Sequence, residues 1–284
     1  LIRAKKSLGQ NFLTDTGVSR HIVDSVSPRP TDIIIEIGSG TGALTGSLAE
    51  RAGRVVAVEL DRRLGDDLSG KLKHFENVSV VWDDALTLDW DELVCRAKSD
   101  FKPVQGSAEA PRVRVVANLP YYISTAIIEK LLAQRGRIFD MTLMLQKEVV
   151  QRITSAPGSR DYGYLSVLVQ YHCAASKLFD VPPSAFKPPP KVDSAVVRLT
   201  FRERPAVEVN NEARFFAVVR ACFAQRRKTI LNNLKAAASQ MTFTSPAEDA
   251  LRAAGVEPRR RAETLSLAEF GALADALYSS SIIM

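Results

Sequence analysis

The chain has 284 residues, 46% hydrophobic and 25% charged, with 38 Lys and Arg against 32 Asp and Glu for a net charge of +6. That length supports a sizeable core and predicts one large domain with a smaller one, and no apolar run approaches the length of a membrane span. Its cysteines (Cys95, Cys173 and Cys222) are odd in number and lack a close pair, which argues against a disulfide framework or a zinc site and fits a reducing cytoplasm.

Near the start, Gln10, Asn11 and Leu13 lie in a segment that reads, on its residues alone, as a helix cap. Ile33-Ile34-Ile35-Glu36-Ile37 is a short β-branched run, as a parallel strand buried on both faces requires. It runs into Gly38-Ser39-Gly40-Thr41-Gly42-Ala43, and a helical pattern follows with Leu44, Leu48 and Ala49 on one side. Strand, glycine turn and helix in that order predict a nucleotide-binding turn, where Gly38 and Gly40 let the backbone approach a ligand. A second strand, Arg54 to Val58, ends in Glu59, whose carboxylate can accept two hydrogen bonds from ribose hydroxyls. To this point NAD and S-adenosylmethionine fit equally well.

The later segments favour the methyl donor. Val78 to Val81 reads as a third strand, followed by Trp82-Asp83-Asp84-Ala85, where an Asp can accept from an adenine amino group. Arg96 to Pro111 has the Lys, Ser, Gly, Pro and Ala content of a surface loop. Val113 to Ala117 predicts a buried fourth strand, and Asn118-Leu119-Pro120-Tyr121 follows at its end. A carboxamide, a Pro-stiffened backbone and an aromatic ring can together hold a flat, amide-like nitrogen. The Asn oxygen and the Leu119 or Pro120 carbonyl accept its hydrogens, and the ring covers its π face. The plain alternative is a strand-ending turn, since Asn and Pro are common turn residues. These segments all fall at predicted strand C-termini, where open α/β sheets bind ligands.

Ile138 to Leu145 reads as a fifth strand, Gln146 to Ile153 as a helix and Thr154 to Tyr162 as a polar loop. Tyr164 to Tyr171 is ambiguous between helix and strand, and Leu178 to Val181 and Ser194 to Phe201 read as late strands. Between the late strands, Pro188, Pro189 and Pro190 stiffen the chain in extended form, which favours a presented Phe186 ring as a stacking platform, with a core aromatic as the alternative. Phe215, Val218, Val219, Cys222 and Phe223 form the apolar face of a helix, with Arg220, Arg226, Arg227, Lys228 and Lys235 on or beyond it. From Lys187 onward 15 Lys and Arg stand against 10 Asp and Glu, whereas the first 186 residues hold 23 against 22. A basic C-terminal portion beside a neutral one suits an RNA partner, with a solvated face as the alternative. His21, His74 and His172 are dispersed and have no obvious triad partner.

Several motifs occur together in order: Lys6-Ser7-Leu8-Gly9-Gln10-Asn11-Phe12-Leu13, the glycine turn, Val58-Glu59-Leu60-Asp61, Asp84-Ala85 and Asn118-Leu119-Pro120-Tyr121. Phe186-Lys187-Pro188-Pro189-Pro190-Lys191-Val192-Asp193-Ser194 and Phe223-Ala224-Gln225-Arg226-Arg227-Lys228 complete the set. The chain resembles, over nearly its whole length, the bacterial small-subunit rRNA adenine dimethyltransferases. The resemblance implies an α/β fold: a Rossmann-like class I methyltransferase sheet, mostly parallel with an antiparallel edge hairpin, over residues 1–203. A small helical RNA-binding domain would follow over 204–284. It implies S-adenosylmethionine as donor, without a metal, held by Gln10, Asn11, Leu13, Gly38, Gly40, Glu59, Leu60, Asp84, Ala85 and Asn118. Asn118, Leu119, Pro120, Tyr121 and Phe186 would carry the catalysis. Arg220, Arg226, Arg227 and Lys228, around an Ala-Gln-Arg-Arg-Lys helix, would contact RNA. The implied reaction places two methyls on N6 of each of two adjacent adenines, in a hairpin loop near the 3′ end of small-subunit rRNA. The implied agent is a cytoplasmic monomer acting on an immature small subunit.

The chain departs from that pattern at Ala117, where Gly is usual, at Tyr122, where Asn is usual, and in the length of the 96–111 stretch. Other readings stay open on the residues: a methyltransferase for another nucleic acid, such as large-subunit rRNA, and a non-catalytic assembly factor. A nicotinamide dehydrogenase would also need a hydride-handling site, for which no residues present themselves.

Overall fold

The computed structural model describes residues 4–102 and 109–279. Its strands are β1 (Phe12–Leu13), β2 (Asp32–Ile37), β3 (Arg54–Glu59), β4 (Val78–Trp82), β5 (Arg112–Asn118), β6 (Asp140–Gln146), β7 (Cys173–Val181), β8 (Phe186–Lys187) and β9 (Ser194–Phe201). The first six helices are α1 (Thr16–Val26), α2 (Thr45–Ala49), α3 (Gly65–Leu72), α4 (Trp90–Ser99), α5 (Ser124–Leu132) and α6 (Lys147–Thr154). They are followed by α7 (Tyr164–His172), α8 (Glu212–Cys222), α9 (Ile230–Ala237), α10 (Ala247–Ala253) and α11 (Leu267–Tyr278).

The β-branched run of β2 is buried at all six positions because it lies mid-sheet, parallel to β3 on one side and β5 on the other. The full order is β4-β3-β2-β5-β6-β9-β7. β4 and β6 are also parallel to their inner neighbours, while β9 runs antiparallel to β6. Ile22, Val23 and Val26 of α1 pack with Ile34, Val55, Val116 and Met144 of the strands. Asp15 starts α1 by accepting the N–H groups of Gly17 and Val18 at 2.8 and 3.0 Å, a cap that contributes ~1 kcal/mol.

Two compact units emerge: Leu1–Val150 with Ala174–Phe201, and Gln151–Cys173 with Arg202–Met284. This differs from a cut at residue 203. The segment Gln151–Cys173 belongs to the second unit because Tyr162, Val167 and Tyr171 pack with Phe215, Val219 and Phe270. The ambiguous Tyr164 stretch is therefore a helix, α7, and the ring of Tyr171 stacks on Phe215 with centroids 5.0 Å apart.

Two further expectations are corrected. The stretch after Arg96 begins inside α4, which continues to Ser99 behind its Asp89 cap, and residues 103–108 lie outside the described ones. Ala224–Lys228 is a turn rather than a helix. Asn233 holds it open, its amide donating to the carbonyls of Cys222 (2.7 Å) and Gln225 (3.2 Å), after which Thr229 caps α9.

In the first unit, Arg114 of β5 is buried and forms a fork with Asp140 of β6, at 2.7 and 2.6 Å, while reaching Asp32 of β2 at 3.3 Å. Both carboxylates begin their strands, so the triad ties three strands together at the end opposite the glycine turn. Removing one partner of a buried pair strands the other's charge. Asp140→Ala is expected to cost ~3–5 kcal/mol in urea unfolding, and a loss below about 1 kcal/mol would show that the triad does not hold the strands.

Candidate active site

Three of the parallel strands, β2, β4 and β5, extend their hydrogen-bond ladders one residue past their ends. Gly38 N–H donates to Val58 (2.8 Å), Asp83 N–H to Glu59 (3.1 Å) and Leu119 N–H to Met144 (3.2 Å). With Ile37 paired to both Val58 and Ala117, the residues Gly38, Glu59, Asp83 and Asn118 share one sheet edge. β2 and β5 are neighbours from which the chain order runs outward in opposite directions, the position where open α/β sheets place ligands. An open cleft of about 1030 Å³, mouth included, lies there. Gln10, Asn11, Leu13, Gly38, Gly40, Glu59, Leu60, Asp84, Ala85, Asn118, Leu119, Pro120 and Tyr121 all line it.

The glycine turn has the backbone expected of it. Gly38 and Gly40 have φ of 71° and 56°, where a side chain is strained. A Cβ on Gly40 would also lie 3.3 Å from the Phe12 ring. Glu59 locks the turn to β3: one carboxylate oxygen accepts Gly40 N–H and the other Asp61 N–H, both at 2.8 Å. Burial nonetheless raises the Glu59 carboxyl above its ordinary range, the N–H bonds opposing it. Each oxygen keeps a lone pair for a further donor. Asp84 is similarly half engaged, with one oxygen accepting Leu86 N–H at 2.9 Å.

Glu36, inside the Ile run of β2, is a further candidate for the site. It lines the cleft, is 2% exposed, and has one carboxylate oxygen without a hydrogen-bond partner among the described residues. Burial pushes its carboxyl up to about 7, with the Thr45 hydroxyl opposing and the Glu59 charge adding to the rise. The signal was present: a carboxylate in the middle of an apolar strand run is costly unless a ligand or partner meets it.

The N-terminal segment is not a helix cap. Phe12 and Leu13 form a two-residue antiparallel bridge with Lys187 and Phe186. Gln10 is engaged at both ends of its amide, accepting Lys5 N–H at 2.7 Å and donating to Asp61 at 2.9 Å. Arg63 and Gln10 together hold the Asp61 carboxyl well below its usual range. Asn11 offers its carbonyl to the Asn118 amide at 3.3 Å.

That last bond decides how Asn118 is used. Its NH₂ faces Asn11, so its oxygen remains as the acceptor. The Pro120 carbonyl already accepts Ile123 N–H at 3.2 Å, as part of the turn into α5. Tyr121 is fixed through its hydroxyl, 2.6 Å from Ser194 Oγ at the start of β9, and burial pushes the pKa of that hydroxyl up while the bond opposes the rise. Phe186 is corrected. It is 4% exposed, packs with Leu13, Val181 and Val196, and does not line the cleft. Its register opposite Leu13 turns the ring into the core, while Lys187 is exposed. The exposed ring at the cleft is Tyr122.

In the second unit Arg220, Arg226, Arg227 and Lys228 are all exposed. Arg220 lies 5.0 Å over the Tyr164 ring and donates to its hydroxyl at 2.9 Å, and Arg226 donates to the Arg160 carbonyl. Two of the four are thus oriented by their own unit.

This strand order, with an antiparallel β9 and a cleft beside the first glycine turn, defines a class I methyltransferase fold. Solved structures agree. A dimethyladenosine transferase from Plasmodium falciparum matches with a TM-score of 0.72 and 27% identity, covering 92% of this chain and 95% of that one. The 23S rRNA methyltransferase ErmE matches with a TM-score of 0.66 and 28% identity, covering 94% and 99%. A family model described as "Ribosomal RNA adenine dimethylase" matches residues 2–273. Ribosomal RNA small subunit methyltransferase A of Anoxybacillus flavithermus is 47% identical over 275 residues, covering 96% of this chain and 90% of that protein. The protein of the same name from Geobacillus thermodenitrificans is 48% identical over 274 residues, with coverage of 96% and 90%. The chain belongs to the ribosomal RNA adenine dimethylase family, which sets aside the nicotinamide reading.

Glu36 makes the cleft floor testable by pH. Its folded pKa of about 7 lies above the ordinary 4.5, so folded Glu36 keeps its proton while the unfolded chain releases it. The contribution is full below pH 4.5 and is lost as pH rises towards 7. The loss amounts to roughly 3 kcal/mol. Urea unfolding of Glu36→Gln is expected to lose about that much of the parent's decline across this window. Parallel pH profiles for parent and variant would contradict the assignment.

Proposed function

We propose that the cleft binds S-adenosylmethionine and that the chain dimethylates N6 of two adjacent adenines, in a hairpin loop near the 3′ end of small-subunit rRNA. The observation that carries this reading is the Asn118 carboxamide, held by Asn11 with its oxygen free beside the glycine turn. A Cβ on Gly38 would lie 3.6 Å from the Asn118 backbone oxygen, so the turn packs beside the backbone of Asn118. Family membership and the printed names of the relatives support the choice of RNA and base.

The residues fit the donor. Glu59 has lone pairs for ribose hydroxyls, Asp84 a free oxygen for an adenine amino group, and the glycine turn room for close approach. The unpartnered Glu36 oxygen and its neighbour Glu59 suit a ligand that carries positive charge. When bound, the donor supplies a methyl on a cationic sulfonium, transferred by in-line displacement.

The chain's task is to aim the nucleophile. The adenine amino nitrogen is weak because its lone pair delocalises into the ring. Asn118 Oδ1 accepts one of its hydrogens and the Leu119 carbonyl the other, since the Pro120 carbonyl is used by Ile123. Both bonds pull electron density toward the nitrogen and turn its lone pair to the methyl. Placement of this kind can contribute roughly 7–11 kcal/mol. No strong base is required, because the methylated nitrogen is acidic and water takes its proton. The base leaves its stack to reach this point, and Tyr121, fixed by Ser194, covers its face for ~1–3 kcal/mol. In the second unit, Arg220, Arg226, Arg227 and Lys228 supply positive charge for RNA phosphates.

Asn118→Ala is expected to lower methyl transfer to small-subunit rRNA by at least ~10²-fold, with donor affinity by calorimetry retained. Undiminished turnover would remove Asn118 from the mechanism. Mass spectrometry of the rRNA 3′ region from cells lacking the protein is expected to find both adenines unmethylated, and intact dimethyladenines there would overturn the substrate assignment.

A further inference from the structure

Tyr121 and Tyr122 are consecutive in the chain, but their rings go to different places. Tyr121 is tied to Ser194, whereas Tyr122 is 61% exposed and lies at the cleft against Gly9. A Cβ on Gly9 would stand 3.0 Å from Tyr122 Cδ1 and 3.1 Å from Cε1. Gly9 also has a φ of 59°, so its backbone leaves the ring a flat seat with no side chain above it. One edge of the ring is therefore fixed while most of it faces solvent, beside the Asn118 acceptor. An exposed ring held at a cleft mouth offers a flat π face on which a planar base can stack.

We propose that Tyr122 is a second base platform, which stacks the nucleotide adjoining the adenine held at Asn118. This rests on the reading of the cleft as an adenine site in RNA. Extruding one base strips its neighbour of a stacking partner, and a seated ring just outside the pocket replaces it. The platform is indifferent to base identity, since every base has a π face. It therefore serves whichever of two adjacent adenines remains outside while the other is methylated.

The test uses unmethylated small subunits as substrate, with the parent protein, Tyr122→Phe and Tyr122→Leu. Tyr122→Leu is expected to raise KM for subunits roughly tenfold, the loss falling on KM rather than kcat, and Tyr122→Phe to stay near the parent. Donor affinity by calorimetry is expected to be the same in all three. With 2-aminopurine beside the target adenine in reconstituted subunits, fluorescence is expected to be quenched by the parent and by Tyr122→Phe but not by Tyr122→Leu. A parent-like KM and quench in Tyr122→Leu would overturn the platform. So would an equal loss of donor affinity, which would mean that the ring acts through the Gly9 segment. A parent that leaves these adenines unmethylated would overturn the underlying reading instead.

Discussion

Everything in the cleft depends on the parallel register of β2 between β3 and β5. Ile37 is paired with Val58 on one side and Ala117 on the other, so the chain leaves three strands at one level and delivers Gly38, Glu59 and Asn118 to a common edge. A slip of β5 by one residue would reverse its faces, and a slip by two would carry Asn118 about 6.6 Å along the strand, out of reach of the turn. Apolar β-branched runs give little register information by themselves, because neighbouring Val and Ile positions are nearly interchangeable. The Arg114 fork with Asp140 and its contact with Asp32 supply that information from the other end of the sheet. Fixed geometry, more than added stability, is what such a buried ionic group provides.

The two ends of the sheet treat charge in opposite ways. At the Arg114 end the carboxylates are answered by a guanidinium within the protein. At the cleft end Glu36 and Glu59 are buried near each other, burial and then the Glu59 charge raise the cost of ionising Glu36, and one Glu36 oxygen has no partner among the described residues. Asp61, two residues past Glu59, is by contrast fully answered by Arg63 and Gln10. The fold neutralises a carboxylate in this region, so the unpartnered Glu36 oxygen beside Glu59 supports the proposal that the cleft takes a cationic ligand. Stability is given up locally where binding needs it.

The strand ends were legible in the sequence because a strand buried on both faces announces itself as an apolar run, and polar residues at its end are then conspicuous. Glu59, Asp84 and Asn118, which line the cleft, stand out in this way. Glu36 was hidden by the same logic, since one carboxylate inside a run of Ile was read as part of the strand. Phe186 was misjudged because its local context, a run of prolines, favours an extended and presented conformation. Its facing is set instead by pairing with Leu13, a contact from the far end of the chain that no local pattern encodes. The turn at Ala224–Lys228 was missed for a similar reason. Ala, Gln, Arg and Lys all favour helix, and the side chain that ends the helix, Asn233, belongs to the next one. The pattern of Gln151–Cys173 does not by itself say which core Tyr162 and Tyr171 join.

The segment from Gly9 to Leu13 draws these threads together. Gly9 seats Tyr122, Gln10 grips Asp61, Asn11 orients Asn118, Phe12 lies over Gly40, and Leu13 fixes Phe186. Phe12 meets the glycine turn and Asn11 the Asn118 carboxamide, so these two parts of the cleft share a single support. A two-residue bridge is too short to be stable by itself, and it is these side-chain contacts that keep the segment in place. The bond that orients the Asn118 carboxamide therefore exists only while the segment is seated. A ligand that contacts both the glycine turn and this segment strengthens that seating, and so links occupancy of one half of the cleft to the geometry of the other.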